Sequence, residues 1–117
     1  MNTMNFATGV ADILVLAILK NKDSYIYELI SSIKKYSEER LIIPLSSIYH
    51  TAYRLESEGN ISSYSKLVGK RRTRVYYHIE PQGEIYLKKL LRSYKETAEG
   101  IDKVLSSVEG SEWEWAI

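Results

Sequence analysis

Lys66, Lys70, Arg71, Arg72 and Arg74 fall within residues 60–78 with no acidic residue among them, so this stretch carries a net charge of +5. The flanking segments are acidic on balance, −1 over residues 1–59 and −3 over residues 79–117, and the overall charge of +1 conceals one concentrated patch. Charge needed only for solubility has no reason to gather, whereas a polyanionic partner is held by cations collected in one place. Just upstream, residues 44–58 hold a second chemically loaded set: Ser46, Ser47, Tyr49, His50, Tyr53 and Arg54. Neutral hydrogen-bonding groups, aromatics and a single Arg differ from the Lys and Glu of an ordinary solvent-facing helix, and they suit a surface that meets base edges and phosphates. The bland alternative is a surface helix whose tyrosines pack on its neighbours. The basic stretch that follows directly weighs against it.

Other chemistries find no constellation. There are no cysteines, which excludes disulfides, thiol catalysis and Cys-based metal sites, and the two histidines, His50 and His78, have no Cys partner or paired carboxylates near them in sequence. No phosphate-cradling Gly-rich loop and no nucleophile elbow occurs. The chain is therefore expected to be neither an enzyme nor a cofactor or metal protein. It has no apolar run long enough to span a membrane and no signal peptide, and a cytoplasmic location is expected.

The elements that must position these groups follow from periodicity. Residues 8–20 put Val10, Ile13, Leu14, Ala17 and Ile18 on one helical stripe, widened by Leu16 and Leu19, which predicts a mostly buried first helix. Ser24 is placed to cap a second helix running from Tyr25 to about Ser37, with Ile26, Leu29, Ile30 and Ile33 inward. Leu41, Ile42 and Ile43 form a connector or minor strand before Pro44, which opens a third helix that Gly59 stops. Its inward stripe is Leu45, Ile48, Ala52 and Leu55, leaving Ser47, His50, Thr51, Arg54 and Ser57 outward with Tyr49 and Tyr53 on the flank. Residues 60–79 read as a two-stranded hairpin turning at Gly69, its second strand alternating Val75, Tyr77 and Ile79 with Arg74, Tyr76 and His78.

A long fourth helix is expected from Pro81 to about Val108. Leu87, Tyr94, Ile101 and Val108 recur in sevens, with Leu90, Thr97 and Val104 beside them and Leu91, Ala98 and Leu105 widening the stripe. This stripe can pair two copies, pack on the first helix of its own chain, or do both on separate flanks. Leu87, Leu91, Tyr94, Ala98, Ile101 and Leu105 are the dimerisation candidates. In the last segment, residues 109–117, Trp113 and Trp115 alternate with acids; such a tail either folds back onto a groove or a partner, or frays.

The predicted fold class is thus mainly α with a two-stranded β-hairpin: a winged helix-turn-helix over residues 1–79, a dimerisation helix over 80–108 and a tail over 109–117. In a winged helix the third helix enters the major groove and the hairpin, or wing, reaches the flanking backbone. Lys70, Arg71, Arg72 and Arg74 then neutralise phosphates, while the polar face of the third helix sets register and readout on double-stranded DNA. A symmetric dimer doubles the cations and matches a palindromic operator. A winged helix can also serve as a protein-interaction module without DNA or ligand, but such a wing has no use for four uncompensated charges.

The motifs also resemble one family. Tyr25-Ile26-Tyr27-Glu28-Leu29, Ser47-Ile48-Tyr49 followed by Arg54-Leu55-Glu56-Ser57-Glu58-Gly59, and the run from Gly69 to Ile79 with Gly83 beyond it are similar to the PadR-type transcriptional regulators, over residues 9 to about 108. Ile26, Asn60 and Glu80 depart from the family pattern without removing a cation or the outward helix face. The resemblance implies a homodimeric, ligand-responsive regulator, usually a repressor, dimerised through the last helix against the first. Some small members bind planar aromatic molecules between those helices; by that resemblance Phe6, Ile13 and Tyr94 would line the pocket, or Ala98 in place of Tyr94 if the position is counted back from Asp102.

Overall fold

The computed structural model describes residues 6–108; the side chain of Phe6 and the tail with Trp113 and Trp115 lie outside the described residues. Helix α1 (Phe6–Asn21) is followed by β1 (Ser24–Tyr25), α2 (Ile26–Tyr36), α3 (Leu45–Ser57), a hairpin of β2 (Ile61–Leu67) and β3 (Thr73–Ile79), and α4 (Pro81–Ser107). The hairpin gains a third strand that periodicity did not show, for β1 pairs antiparallel with β3 and gives the order β1-β3-β2. This strand explains why Ser24 does not cap α2. Its backbone is extended opposite Tyr77, its hydroxyl donates to the Lys22 carbonyl at 3.2 Å, and the helix begins at Ile26 with Tyr25 in the cap position.

The core joins Val15, Leu16 and Leu19 of α1 with Leu29 and Ile33 of α2, Ile48, Ala52 and Leu55 of α3, Ile61 and Ile79 at the hairpin base, and Leu87 and Leu90 of α4. The third-helix stripe is as expected except at Leu45, which stays 38% exposed, and Thr51, expected outward, is buried. In α1 the buried stripe is rotated from the predicted one. Asp12, Val15, Leu16 and Leu19 are buried, whereas Ile13, Leu14 and Ile18 are half-buried and Ala17 is exposed. A helix apolar all round carries little phase information. A single carboxylate that must find partners decides which side goes in.

Two glycines shape the route into the wing and out of it. Gly59 has φ +81, the left-handed conformation that lets α3 end as Asn60 N–H donates to the Leu55 carbonyl at 2.9 Å. A Cβ on Gly83 would collide with the Asn60 carbonyl oxygen, so glycine is what allows the first turn of α4 to sit on the hairpin base. Gln82 Nε2 donates to the Glu58 carbonyl at 2.6 Å, Glu80 N–H donates to the Asn60 carbonyl at 3.0 Å, and Ser62 donates to the Glu80 carboxylate at 2.6 Å. Asn60 and Glu80, two of the positions that depart from the family pattern, are thus built into the joint between α3, the hairpin and α4.

Beyond Leu90 the fourth helix leaves the core. Its 27 residues span about 40 Å, and the molecule is accordingly long, 62 × 29 × 22 Å. Along this arm Leu91, Tyr94, Ile101 and Val104 are about half exposed or more, and Ala98 and Leu105 are half-buried.

Candidate nucleic-acid interface

The outer face of α3 presents Ser46, Ser47, Tyr49, His50 and Tyr53, all exposed, Tyr53 at 74% and Tyr49 at 50%. Pro44 at the cap fixes the entry of the helix at φ −61. Arg54 is not on this face. It turns inward, its Nη2 donating to Oδ1 of the fully buried Asp12 and its Nη1 to Glu58 Oε1 at 3.2 Å. The other Asp12 oxygen accepts the Tyr86 hydroxyl of α4 at 2.9 Å. Burial pulls the Arg54 pKa down, but the hydrogen bond and charge of Asp12 more than offset it and the net direction is up. The phenol of Tyr86 is raised too, first by burial and then by its bond to the carboxylate. One carboxylate therefore ties the helix of the outward polar face to both α1 and α4. Arg54, expected among the reading residues, is thus engaged by Asp12 and Glu58 within its own chain.

The wing tip is organised differently. Gly69 has φ +85 with open space around it, and Val68 N–H donates to the Arg72 carbonyl at 2.8 Å to close the turn. Lys70, Arg71 and Arg72 are exposed and, among the described residues, make no salt bridge. Arg74 is held: its guanidinium lies 4.3 Å from the centroid of the Tyr25 ring. Tyr25 meets Tyr76 edge-on at 5.5 Å, Tyr76 stacks on Tyr64 at 5.8 Å, and Lys66 sits over Tyr76 at 5.4 Å. Tyr64 and Tyr76 face each other across the β2–β3 ladder and Tyr25 and Tyr76 across β1–β3, which accounts for this ladder of rings.

The base of the wing is pinned as well. His78 Nδ1 lies 2.8 Å from Asp23 Oδ1, and the Tyr64 hydroxyl donates to Asp23 Oδ2 at 2.7 Å. Partial burial pushes the Asp23 pKa up, but the bonds from His78 and Tyr64 outweigh it and the net direction is down, while the bond to Asp23 raises His78. Sequence reasoning missed Asp12, Tyr86, Asp23 and Tyr25. The one usable signal was Asp12, a lone carboxylate in an otherwise apolar helix.

Helix and wing meet at a groove of about 450 Å³ between the start of α2, α3 and β3, bordered by Tyr27, Tyr49, Arg72 and Arg74 among others. A second, apolar groove of about 330 Å³ lies along the open side of α1, between Leu14, Ile18, Ile33 and Leu41. Of the effector-pocket candidates, Ile13 is half-buried on α1 and Tyr94 half exposed on the arm of α4. Among the described residues no helix is long and apolar enough to cross a membrane, and no three His, Asp or Glu side chains cluster as metal ligands.

Comparison with known proteins agrees with this arrangement. The model of the transcriptional regulator PadR-like family matches residues 15–89. A solved transcriptional regulator from Clostridium thermocellum is 31% identical, with 86% of this chain and 97% of that one covered at a TM-score of 0.79. A PadR family transcriptional regulator from Eggerthella lenta is 26% identical, with 85% and 84% covered and a TM-score of 0.75. A Lysinibacillus sphaericus relative, called only Uncharacterized protein X, is 30% identical over 101 residues, 86% of this chain and 93% of its own length. With a winged helix, a polar third-helix face and a cationic wing already in place, these matches make the chain a member of the PadR-like family, a DNA-binding transcriptional regulator and not an enzyme.

Proposed function

We propose that the protein is a homodimeric, ligand-responsive repressor of a palindromic operator, in which residues 1–79 recognise DNA and residues 80–108 pair the subunits. The observation that carries the DNA half is the groove where Tyr49 of α3 meets Arg72 and Arg74 of the wing, for it sets readout and phosphate-gripping groups side by side. Ser46, Ser47, Tyr49, His50 and Tyr53 read the major groove, and Lys70, Arg71, Arg72 and Arg74 grip the backbone beside it.

Pairing is supported by two apolar surfaces that the single chain leaves open: the arm of α4 with Leu91, Tyr94 and Ile101, and the side of α1 with Leu14 and Ile18. Leu87 is already buried in its own chain and contributes only at the root of the arm. A planar aromatic molecule held where α1 approaches the partner's last helix would bear on Ile13, Phe6 and Tyr94. Repression and ligand response rest on the family resemblance.

Fluorescence anisotropy with duplex DNA tests the first half. Affinity should fall steeply with salt, because each phosphate contact releases counterions, and salt-independent binding would remove the wing from its role. Sedimentation tests the second: a dimer at micromolar concentration is expected, and a monomer there would refute the arm.

A further inference from the structure

The groove between α2, α3 and the wing contains more than the residues assigned to reading and gripping, and its floor comes from the sheet. Glu80 N–H bonds to the Asn60 carbonyl and Val68 N–H to the Arg72 carbonyl, so the even-numbered residues of β3 exchange hydrogen bonds with β2. By alternation the odd-numbered residues turn their N–H and C=O groups to the opposite edge. There β1 pairs only with Tyr76 and Tyr77 and then ends as the chain enters α2. Thr73 and Val75 therefore lie past the end of β1, on a strand edge that no further strand covers, and both line the groove. Tyr27, on the first turn of α2, and Tyr49, on α3, stand around this open edge, and Arg72 and Arg74 flank it.

We infer that this groove seats one phosphate of the DNA backbone per subunit, with Tyr27 as a positioning residue that the basic tip and the outward face of α3 did not reveal. Three features select a phosphate of a long polyanion. The charged groups here are both cations, Arg72 and Arg74, and tyrosine hydroxyls stand beside them as donors, with no carboxylate in the lining. Arg74 is braced against the Tyr25 ring, so its charge is held at the rim before any ligand arrives. The walls are open, with Tyr27 62%, Tyr49 50% and Val75 47% exposed, which suits a segment of a larger molecule better than a small ligand that must be enclosed. The seat lies between the reading helix and the gripping wing, so occupying it fixes how deeply α3 enters the major groove.

This inference rests on DNA binding, and its test separates the two. A duplex selected for the full-length protein from a random library is remade with single neutral methylphosphonates along each strand, and anisotropy is measured for wild type and Tyr27→Phe. Tyr27 is exposed, and thermal melting confirms that the variant is folded. On the native duplex Tyr27→Phe should lose roughly tenfold in affinity, the low end of what one hydrogen bond to a charged group contributes. At one symmetry-related phosphate position the neutral duplex should weaken wild type while erasing the difference between the two proteins. Equal loss at every position, or no loss anywhere, would overturn the seat while leaving DNA binding intact. Failure to select any duplex would instead strike at DNA binding itself. Inorganic phosphate, titrated at constant ionic strength, should not displace the duplex; displacement at millimolar phosphate from wild type but not from Tyr27→Phe would reassign the groove to a free anion.

Discussion

Arg54 and Arg72 sit on the two elements that face the same groove, yet the fold uses them in opposite ways. Arg54 has a fully buried carboxylate within reach and is consumed by it, joining α3 to α1 and, through Tyr86, to α4. Arg72 projects from a turn with no acid bound to it among the described residues and keeps its charge for a partner. The same side chain is a strut where an uncompensated carboxylate would otherwise be buried, and a grip where its only competitor is water. What separates them is the location of Asp12.

The comparison can be broken most forcefully at Arg54. Removing it leaves Asp12 buried with only Tyr86 for company, and Arg54→Ala should lower unfolding free energy by about 3 kcal/mol, read from urea denaturation. Asp12→Asn in the same background should recover part of that loss, since the orphaned charge goes with it. If Arg54→Ala melts like wild type and instead alters which operators are bound, the strut assignment is wrong and Arg54 returns to the reading face.

Replacing Arg71 and Arg72 with Ala should do the reverse. Stability should stay within about 0.5 kcal/mol of wild type. Affinity should fall on all duplexes alike, and the slope of log affinity against log salt should flatten by about 2 per wing. A smaller effect is expected at Tyr86→Phe, which takes one hydrogen bond from the buried carboxylate and should cost about 1–2 kcal/mol of stability without changing sequence preference.

The smallest effect concerns the wing's anchor rather than its tip. The raised pKa of His78 means that its link to Asp23 contributes fully below the ordinary imidazole value of 6.5 and fades as pH rises through the raised value. Asp23, lowered from 3.8, contributes above that ordinary value and loses its part only as acid reaches the lowered one. Hydrogen exchange in β2 and β3, corrected for intrinsic rates, should therefore show slightly less protection on the alkaline side of the His78 transition than between the two limits. His78→Gln should flatten that difference. Unchanged protection in wild type would detach the wing's rigidity from this pair.

Much of the architecture could be read in advance because its signals are local. Turn residues such as Pro44, Gly59 and Pro81 mark helix ends through backbone geometry, and the 3.6-residue spacing of Ile48, Ala52 and Leu55 marks an inward face. Where the pattern was saturated, as in α1, it named a helix without its orientation. Ser24 was placed correctly as a boundary and wrongly as a cap, because pairing with Tyr77 from another part of the chain outweighed a local side-chain bond.

The sequence alone determined that this is a helix-rich domain with a cationic hairpin after a polar helix, since net charge, hydropathy period and turn chemistry belong to neighbouring residues. Tertiary structure alone decided which cations remain free. Asp12 and Arg54 are 42 positions apart and Asp23 and His78 are 55 apart, so each pair exists only because packing closes the distance. The same holds for the groove beside β3: an open strand edge, two tyrosines from two helices and the arginines of the wing become one surface only when β1 stops short and α2 turns away.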